Sequence, residues 1–334
     1  MWKTLTIVFA VALALSAGLI VALRPAFARY AVARPNARSS HTVPTPQGGG
    51  IAVVAATLIG AWLGATLTST GLSTMEWMAL SVSTILLALT GAIDDIRGLG
   101  PGPRLLIQIV AVGLVIASLP NDFAIVPQLA QPVERALLLL GGVWFVNLVN
   151  FMDGIDWMTV AEVVPVTAGV ALLGFTDGAP QGAMAVAVAL LGASIGFAPF
   201  NRPVARLFLG DVGSLPIGLL LGWLMLMLAG RNNLAAAILL PLYYLADATI
   251  TLTRRLVRRE AVWQAHRTHF YQRATDGGFS VEEIVVRVFV TNLALAGLAL
   301  ITAIEPDPRV DLATIALGGS LVAWLLLTFQ RGKR

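Results

Sequence analysis

Long apolar blocks recur from one end of the chain to the other, broken by short stretches rich in Pro, Gly, Asn, Asp and Arg. A helix needs roughly 20 apolar residues to cross the ~30 Å hydrocarbon core of a bilayer. Eleven blocks meet that pattern: residues 4–23, 50–68, 76–93, 103–119, 135–149, 159–175, 182–199, 213–229, 234–252, 284–304 and 310–328. The pattern predicts an all-α polytopic membrane bundle of about 11 transmembrane helices, a single domain over residues 1–334. The first block follows Lys3 and resembles a signal peptide, but no small-residue cleavage site follows it, so it is read as a signal anchor.

Composition agrees. Of 334 residues, 57% are hydrophobic and 12% charged, against about 25% charged in a typical soluble domain. The chain has no cysteine, which excludes disulfides, thiolate metal sites and a cysteine nucleophile. Charge then orients the bundle. The connections at about 24–49, 94–104, 150–158, 200–212 and 253–283, taken with Arg287 and the C-terminal tail, hold 18 of the 22 Lys and Arg residues. The opposite set holds Lys3, Arg135, Arg231 and Arg309. The positive-inside rule therefore predicts a cytoplasmic C-terminus and an N-terminus outside. The net charge of +4 reports topology, and nucleic acid is not an expected partner.

The polar clusters all fall in the basic connections: RSSHTVPTPQGGG (38–50), GAIDDIRGLGPGPR (91–104), NLVNFMDGIDWM (147–158), FNRPVARLFLGDVGS (200–214) and RREAVWQAHRTHFYQR (258–273). Asp94 and Asp95 end the third block. Such a pair is either a solvated helix end or a site for Mg²⁺ or a general base. Asn150, Asp153 and Asp156 follow at i, i+3 and i+6, which on a helical turn places them on one face. The Gly210–Ser214 turn opens the eighth span, where backbone N–H groups favour phosphate oxygens unless it is a simple cap. PTPQGGG reads alone as a Pro/Gly turn. His266 and His269, at i, i+3 among Arg258, Arg259, Arg267 and Arg273, suit a diphosphate clamp or a basic segment touching anionic lipid. Walker A, nucleotide-binding G-x-G-x-x-G and H-E-x-x-H patterns are absent.

In order, PTPQGG, IDD with RGLG, NFMDGID, FLGDVGS and HRTHFYQR resemble the polyprenyl-phosphate N-acetylhexosamine-1-phosphate transferase superfamily, glycosyltransferase family 4. The resemblance implies an enzyme that transfers an N-acetylhexosamine-1-phosphate from a UDP-sugar to undecaprenyl phosphate, releasing UMP, with Mg²⁺ (or Mn²⁺) as cofactor. It implies that Asp94 and Asp95 face the lipid phosphate, one as base, and that Asp211, with Asp153, holds the metal. Asn150, Asp153 and Asp156 match the nucleotide and sugar-phosphate site, with Gly154 and Ile155 near the uracil and Phe208 stacked on it. His266 and His269 match the terminal histidine motif beside the diphosphate, with Arg267 assisting. Lysines found in other branches are missing, and His41, Arg97 and Arg104 are the expected replacements.

The family's NFMDGIDG reads NFMDGIDW here, so Trp157 is expected to reshape the sugar end. The His-Arg-Thr-His pattern argues against the peptidoglycan lipid I branch and resembles the O-antigen-initiating branch, with UDP-GlcNAc or a rarer UDP-N-acetylhexosamine as donor. That implies a multi-pass protein of the inner membrane with its site facing the cytoplasm, compatible with a homodimer. The competing readings are a lipid I-type transferase, a CDP-alcohol phosphatidyltransferase and a secondary transporter. Transporter sites lie near the midplane on broken helices, whereas these acids sit at span ends.

Overall fold

The computed structural model describes residues 1–33, 44–68, 71–176, 178–261 and 266–333. His41 lies outside them. The helices are α1 (Trp2–Tyr30), α2 (Gly49–Leu67), α3 (Thr74–Arg97), α4 (Pro101–Ala117), α5 (Gln131–Met152), α6 (Met158–Leu173), α7 (Gln181–Phe197), α8 (Asp211–Ala229), α9 (Leu234–Leu239), α10 (Leu242–Val257), α11 (Phe270–Asp276), α12 (Val281–Ile304) and α13 (Pro308–Arg331). Two short strands, β1 (Val32–Ala33) and β2 (Thr45–Pro46), pair antiparallel. The chain is an all-α polytopic membrane protein.

Local chemistry sets the helix starts. Ser73 and Glu76 form a capping box at α3, and Ser280 with Glu283 repeats it at α12, satisfying N–H groups that a helix start leaves open. Proline opens α4, α5 and α13, where its missing N–H costs nothing. Large apolar side chains such as Leu89, Leu140, Leu312 and Trp324 are exposed, as a surface solvated by lipid requires.

Among the described residues, nine helices are long and apolar enough to cross a membrane, against eleven expected spans. The fourth expected span is α4, 17 residues, about 26 Å of helix. The ninth breaks into α9 and α10 around Leu240 and Pro241; proline lacks an N–H and its ring clashes with the preceding turn. The center of the bundle is α8, buried along almost its whole length and packed on α3, α5 and α2. Its N-terminus meets the C-terminal ends of α3 and α5, so the connections after α1, α3, α5, α7 and α10 gather at one end of the bundle.

Candidate active site

The site is organised around the first turn of α8. Asp95, near the end of α3, accepts hydrogen bonds from Asp211 N (3.0 Å) and Val212 N (3.1 Å). A carboxylate at a helix N-terminus satisfies open donors and the helix dipole together. These N–H groups were expected to face phosphate; the structure gives them to Asp95. The approach demands glycine. A Cβ on Gly91 would collide with the Asp211 backbone, and one on Gly50 with Gly213. Gly210 has φ +78°, with Asp95 beside it. PTPQGGG is thus a packing device: Gly49 N and Gly50 N donate to Phe208 O and Leu209 O, and Gln47 Nε2 donates to Asp95 O.

Asp94 faces the other way. It accepts from Leu99 N and from Arg104 Nη1 (2.8 Å). Arg104 also reaches Asp211 Oδ2 (3.1 Å) and Asn150 Oδ1 (3.4 Å). Asn150 Nδ2 completes the ring by donating to Asp211 Oδ1 and Ser214 Oγ, each at 2.8 Å. Of the expected replacements for the missing lysines, Arg104 is the one the structure brings into this cluster, bridging Asp94 and Asp211. Arg97 lines neither of the cavities described below.

Asn150, Asp153 and Asp156 do not share a helical face. α5 stops at Met152, and Asp153 begins a turn. Asp153 is half-buried on the wall of the first cavity described below and accepts from Thr159 Oγ1. Burial, then the nearby charges of Asp95 and Asp156, push its carboxyl up to about 6 against the Thr159 hydrogen bond. Asp156 Oδ2 accepts from Ala205 N (2.9 Å), tying the turn to the α7–α8 connection. Trp157 sits at φ +62°, where glycine would be unstrained. Its N donates to Asn201 Oδ1 and its Nε1 to Ala198 O, so it pins the turn and does not line either cavity. A Cβ on Gly154 would run into the Tyr271 hydroxyl, which donates to Phe151 O.

Two cavities flank this cluster. The first, about 610 Å³, is lined by Asp95, Asp153, Gly154, Ile155, Asp156 and Phe208, among others. The second, about 860 Å³, is lined by Arg104, Gln108, Asn147, His266 and His269 and by apolar Leu105, Leu140, Leu252 and Leu256. Asn150 and Asp211 line both. Leu105, Leu140 and Leu256 are exposed on the bundle's outer surface, so the second cavity has an apolar rim toward lipid. Asn147 and Gln108 exchange amide hydrogen bonds on its wall.

His266 and His269 are not on one helical face. His269 is the residue before α11 and His266 lies outside any helix; their rings stack at 4.9 Å between centroids. Both line the second cavity, away from Phe208 and the Asp153–Asp156 turn. Burial, then the facing His269 and Arg255, lower the His266 pKa to about 4, so it is neutral near pH 7. Arg267 turns to Asp276 (3.3 Å) and Thr275 and lines neither cavity. Asp247 was not singled out in the sequence. It is fully buried on α10 and holds His269 Nδ1 at 3.1 Å. The signal was present: it is the only charged residue of the expected span 234–252, and an ionisable group within a span is a functional candidate by default.

Among the described residues no three His, Cys, Asp or Glu side chains form a preformed metal cage. Mg²⁺ does not require one, because it keeps waters and binds through one or two carboxylates plus substrate phosphates. Asp211 and Asp153, hard oxygen donors on the wall of the first cavity, fit that mode. Asp94 and Asp211 share the guanidinium of Arg104, while Asp95 feels the charge of Asp94, and Asp153 those of Asp95 and Asp156, so the site favours further positive charge.

The family model described as glycosyl transferase family 4 matches residues 77–229. A Bacillus subtilis protein named "Probable undecaprenyl-phosphate N-acetylglucosaminyl 1-phosphate transferase" is 24% identical over 281 residues, covering 81% of this chain and 77% of that protein. Decaprenyl-phosphate N-acetylglucosaminephosphotransferase of Mycobacterium tuberculosis is 26% identical over 329 residues, 88% of this chain and 80% of its own. The protein of the same name from Mycolicibacterium smegmatis is 26% identical over 339 residues, 90% and 83%. With the motifs in order along the chain, the match over residues 77–229 to glycosyl transferase family 4 and the similarity of most of the chain to these transferases support the polyprenyl-phosphate N-acetylhexosamine-1-phosphate transferase superfamily.

Proposed function

We propose that the protein transfers an N-acetylhexosamine-1-phosphate, with UDP-GlcNAc as the first donor to test, onto undecaprenyl phosphate or a related polyprenyl phosphate. The observation that carries this reading is the shared wall: Asn150 and Asp211 line both a polar cavity and one whose rim is apolar and exposed. A water-soluble donor and a membrane-bound acceptor then meet across one carboxylate. An oxygen of the acceptor phosphate attacks the sugar-linked phosphorus of the donor. The bond to the bridging oxygen breaks, and UMP leaves with that oxygen.

Phosphoryl transfer is mostly positioning and charge compensation. Phe208 and Ile155 offer apolar surface to the uracil in the first cavity, and Gly154 lets the nucleotide approach the backbone. Arg104 and His269 face the acceptor phosphate in the second. Mg²⁺, or Mn²⁺ in its place, held by Asp211 and Asp153, would supply the positive charge that two approaching anions need. Asp95 is engaged with the start of α8, which favours Asp94, through Arg104, over Asp95 as the residue acting on the acceptor. The Lys/Arg bias supports a cytoplasmic site in the inner membrane, and the HRTH pattern supports a role in starting a lipid-linked envelope glycan such as O-antigen.

The test is UMP release by the purified protein in vesicles, screened over UDP-sugars. UMP should appear only with a polyprenyl phosphate present and should vanish in EDTA. Equal UMP release without the lipid would overturn the reading in favour of a hydrolase. Ion flux across the vesicle without UMP would favour a transporter.

A further inference from the structure

The carboxylate of Asp247 is buried in the core and touches neither cavity, yet it is among the most heavily bonded groups in the protein. Oδ1 accepts from Thr251 Oγ1 (3.2 Å) and Phe270 N (3.0 Å) and lies 3.1 Å from His269 Nδ1. Oδ2 accepts from Tyr271 N (3.2 Å) and, more weakly, from the Tyr243 hydroxyl (3.4 Å). Four of these five partners can act only as donors toward a carboxylate, and the fifth, His269 Nδ1, depends on where the imidazole proton sits. His269 is 2% exposed, and Phe151, Tyr271 and His266 pack around its ring.

An ionised carboxylate has no proton to give, so it accepts from Nδ1 only if Nδ1 carries the hydrogen. The N–H of Gln272, one turn into α11, also points at the His269 side chain; a bare Nδ1 would serve it and leave the proton on Nε2. A lone pair facing an acceptor-only oxygen at 3.1 Å opposes that arrangement. The ring nitrogen that remains is Nε2, on an imidazole whose ring lines the second cavity with Arg104, Asn150 and Asp211. Which nitrogen of a histidine acts is set by what holds the other.

We propose that Asp247 is the positioning residue of His269: it holds Nδ1–H and thereby presents an unprotonated Nε2 to the cavity assigned above to the acceptor phosphate. The inference rests on that reading of the second cavity for its consequence, but not for its geometry. Nε2 then accepts from, or takes up, a proton on the acceptor phosphate. Asp247 fixes the same segment through the Phe270 and Tyr271 N–H groups, so the histidine and the start of α11 move as one unit.

The test uses the full chain in lipid nanodiscs with ¹⁵N-labelled histidine rings. Only His41, His266 and His269 contribute, and H269Q assigns the signal. At a pH where the ring is neutral, His269 should be the Nδ1–H form in the wild type, and D247A should convert it to the other form or to a mixture. In kinetics, D247A should lower kcat about 10- to 100-fold with donor KM little changed. D247E should recover part of the loss. The double variant D247A/H269Q should be no slower than H269Q alone, because one residue acts through the other. A wild-type His269 protonated on Nε2 overturns the proposal, as do D247A and H269Q effects that multiply. The wild-type tautomer is read without activity, so the proposal stands or falls even if D247A does not insert, and independently of whether the donor and acceptor are those proposed.

Discussion

α8 and α11 each begin against a carboxylate supplied by another helix. Asp95 of α3 takes Asp211 N and Val212 N; Asp247 of α10 takes Phe270 N and Tyr271 N. The surroundings differ. Asp95 lines the first cavity and lies among Asp94, Asp153 and Asp211. Asp247 is sealed among neutral donors and one histidine. The same capping chemistry therefore has two uses. At α8 it leaves the side chain of the first helical residue, Asp211, on the wall of both cavities while its backbone is held. At α11, only seven residues long and unable to persist alone, it holds a whole segment from behind.

The sharpest way to separate backbone from side chain at α8 is Asp211→Asn. The Asp95 cap uses only the Asp211 main chain, so the helix start survives while the charge facing both cavities is lost. Turnover should fall on the order of 10³-fold, the scale for removing a key electrostatic group, with the unfolding temperature nearly unchanged. A large loss of stability would show that the Asp211 carboxylate is structural. Asp95→Ala should do both kinds of damage: about 1 kcal/mol of stability from the lost cap and a roughly 10²-fold loss of turnover as Asp211 is released. Lost turnover with unaltered stability would return Asp95 to a direct chemical role.

This contrast also explains what was legible in the sequence. Asp94, Asp95, Asp153 and Asp211 stand out because acids at span ends beside Gly and Asn are unusual, and the motif order carries the family. Periodicity located every long helix but neither the short α11 nor the break at Pro241, because apolar runs do not reveal where a span is interrupted. Helical spacing put His266 beside His269 for the wrong reason; ring stacking joins them outside any helix. Local spacing could not show that N–H groups at Asp211 are taken by a residue 116 positions earlier. Asp247 shows the opposite failure: its isolation in an apolar span was visible, but its partner lies 22 residues on, beyond any local pattern.

A smaller effect joins the two regions. Gly154, on the first cavity, lies against the hydroxyl of Tyr271, whose N–H is held by Asp247. Gly154→Ala should raise donor KM about 10-fold, since a displaced turn of ~1 Å can cost up to about 10²-fold. Tyr271→Phe removes the colliding oxygen, so the double variant should recover much of the loss. If the two effects simply added, the contact would carry no coupling between the donor turn and α11.

The smallest expected effect concerns His266, the partner of His269 that Asp247 does not touch. Its half-buried ring faces His269 at the start of α11, Arg255 on α10, Glu260 and Asp247, and burial with the two basic neighbours lowers its pKa from 6.5 to about 4. The folded protein thus refuses a proton that the unfolded chain accepts. Above pH 6.5 both states are unprotonated there and the group contributes no pH dependence. As pH falls from 6.5 toward 4 the unfolded chain gains the proton first, so stability declines across that window. His266→Gln removes the titration. Its thermal unfolding profile should match the wild type in shape above pH 7 and lose less stability, or gain more, than the wild type as pH falls from 6.5 to 4, where the raised pKa of Asp153 contributes a slope of the opposite sign in both proteins. An unchanged slope in the variant would mean that His266 is protonated in the folded protein over that window, and the second cavity would then carry a cation beside Arg104 instead of a neutral imidazole.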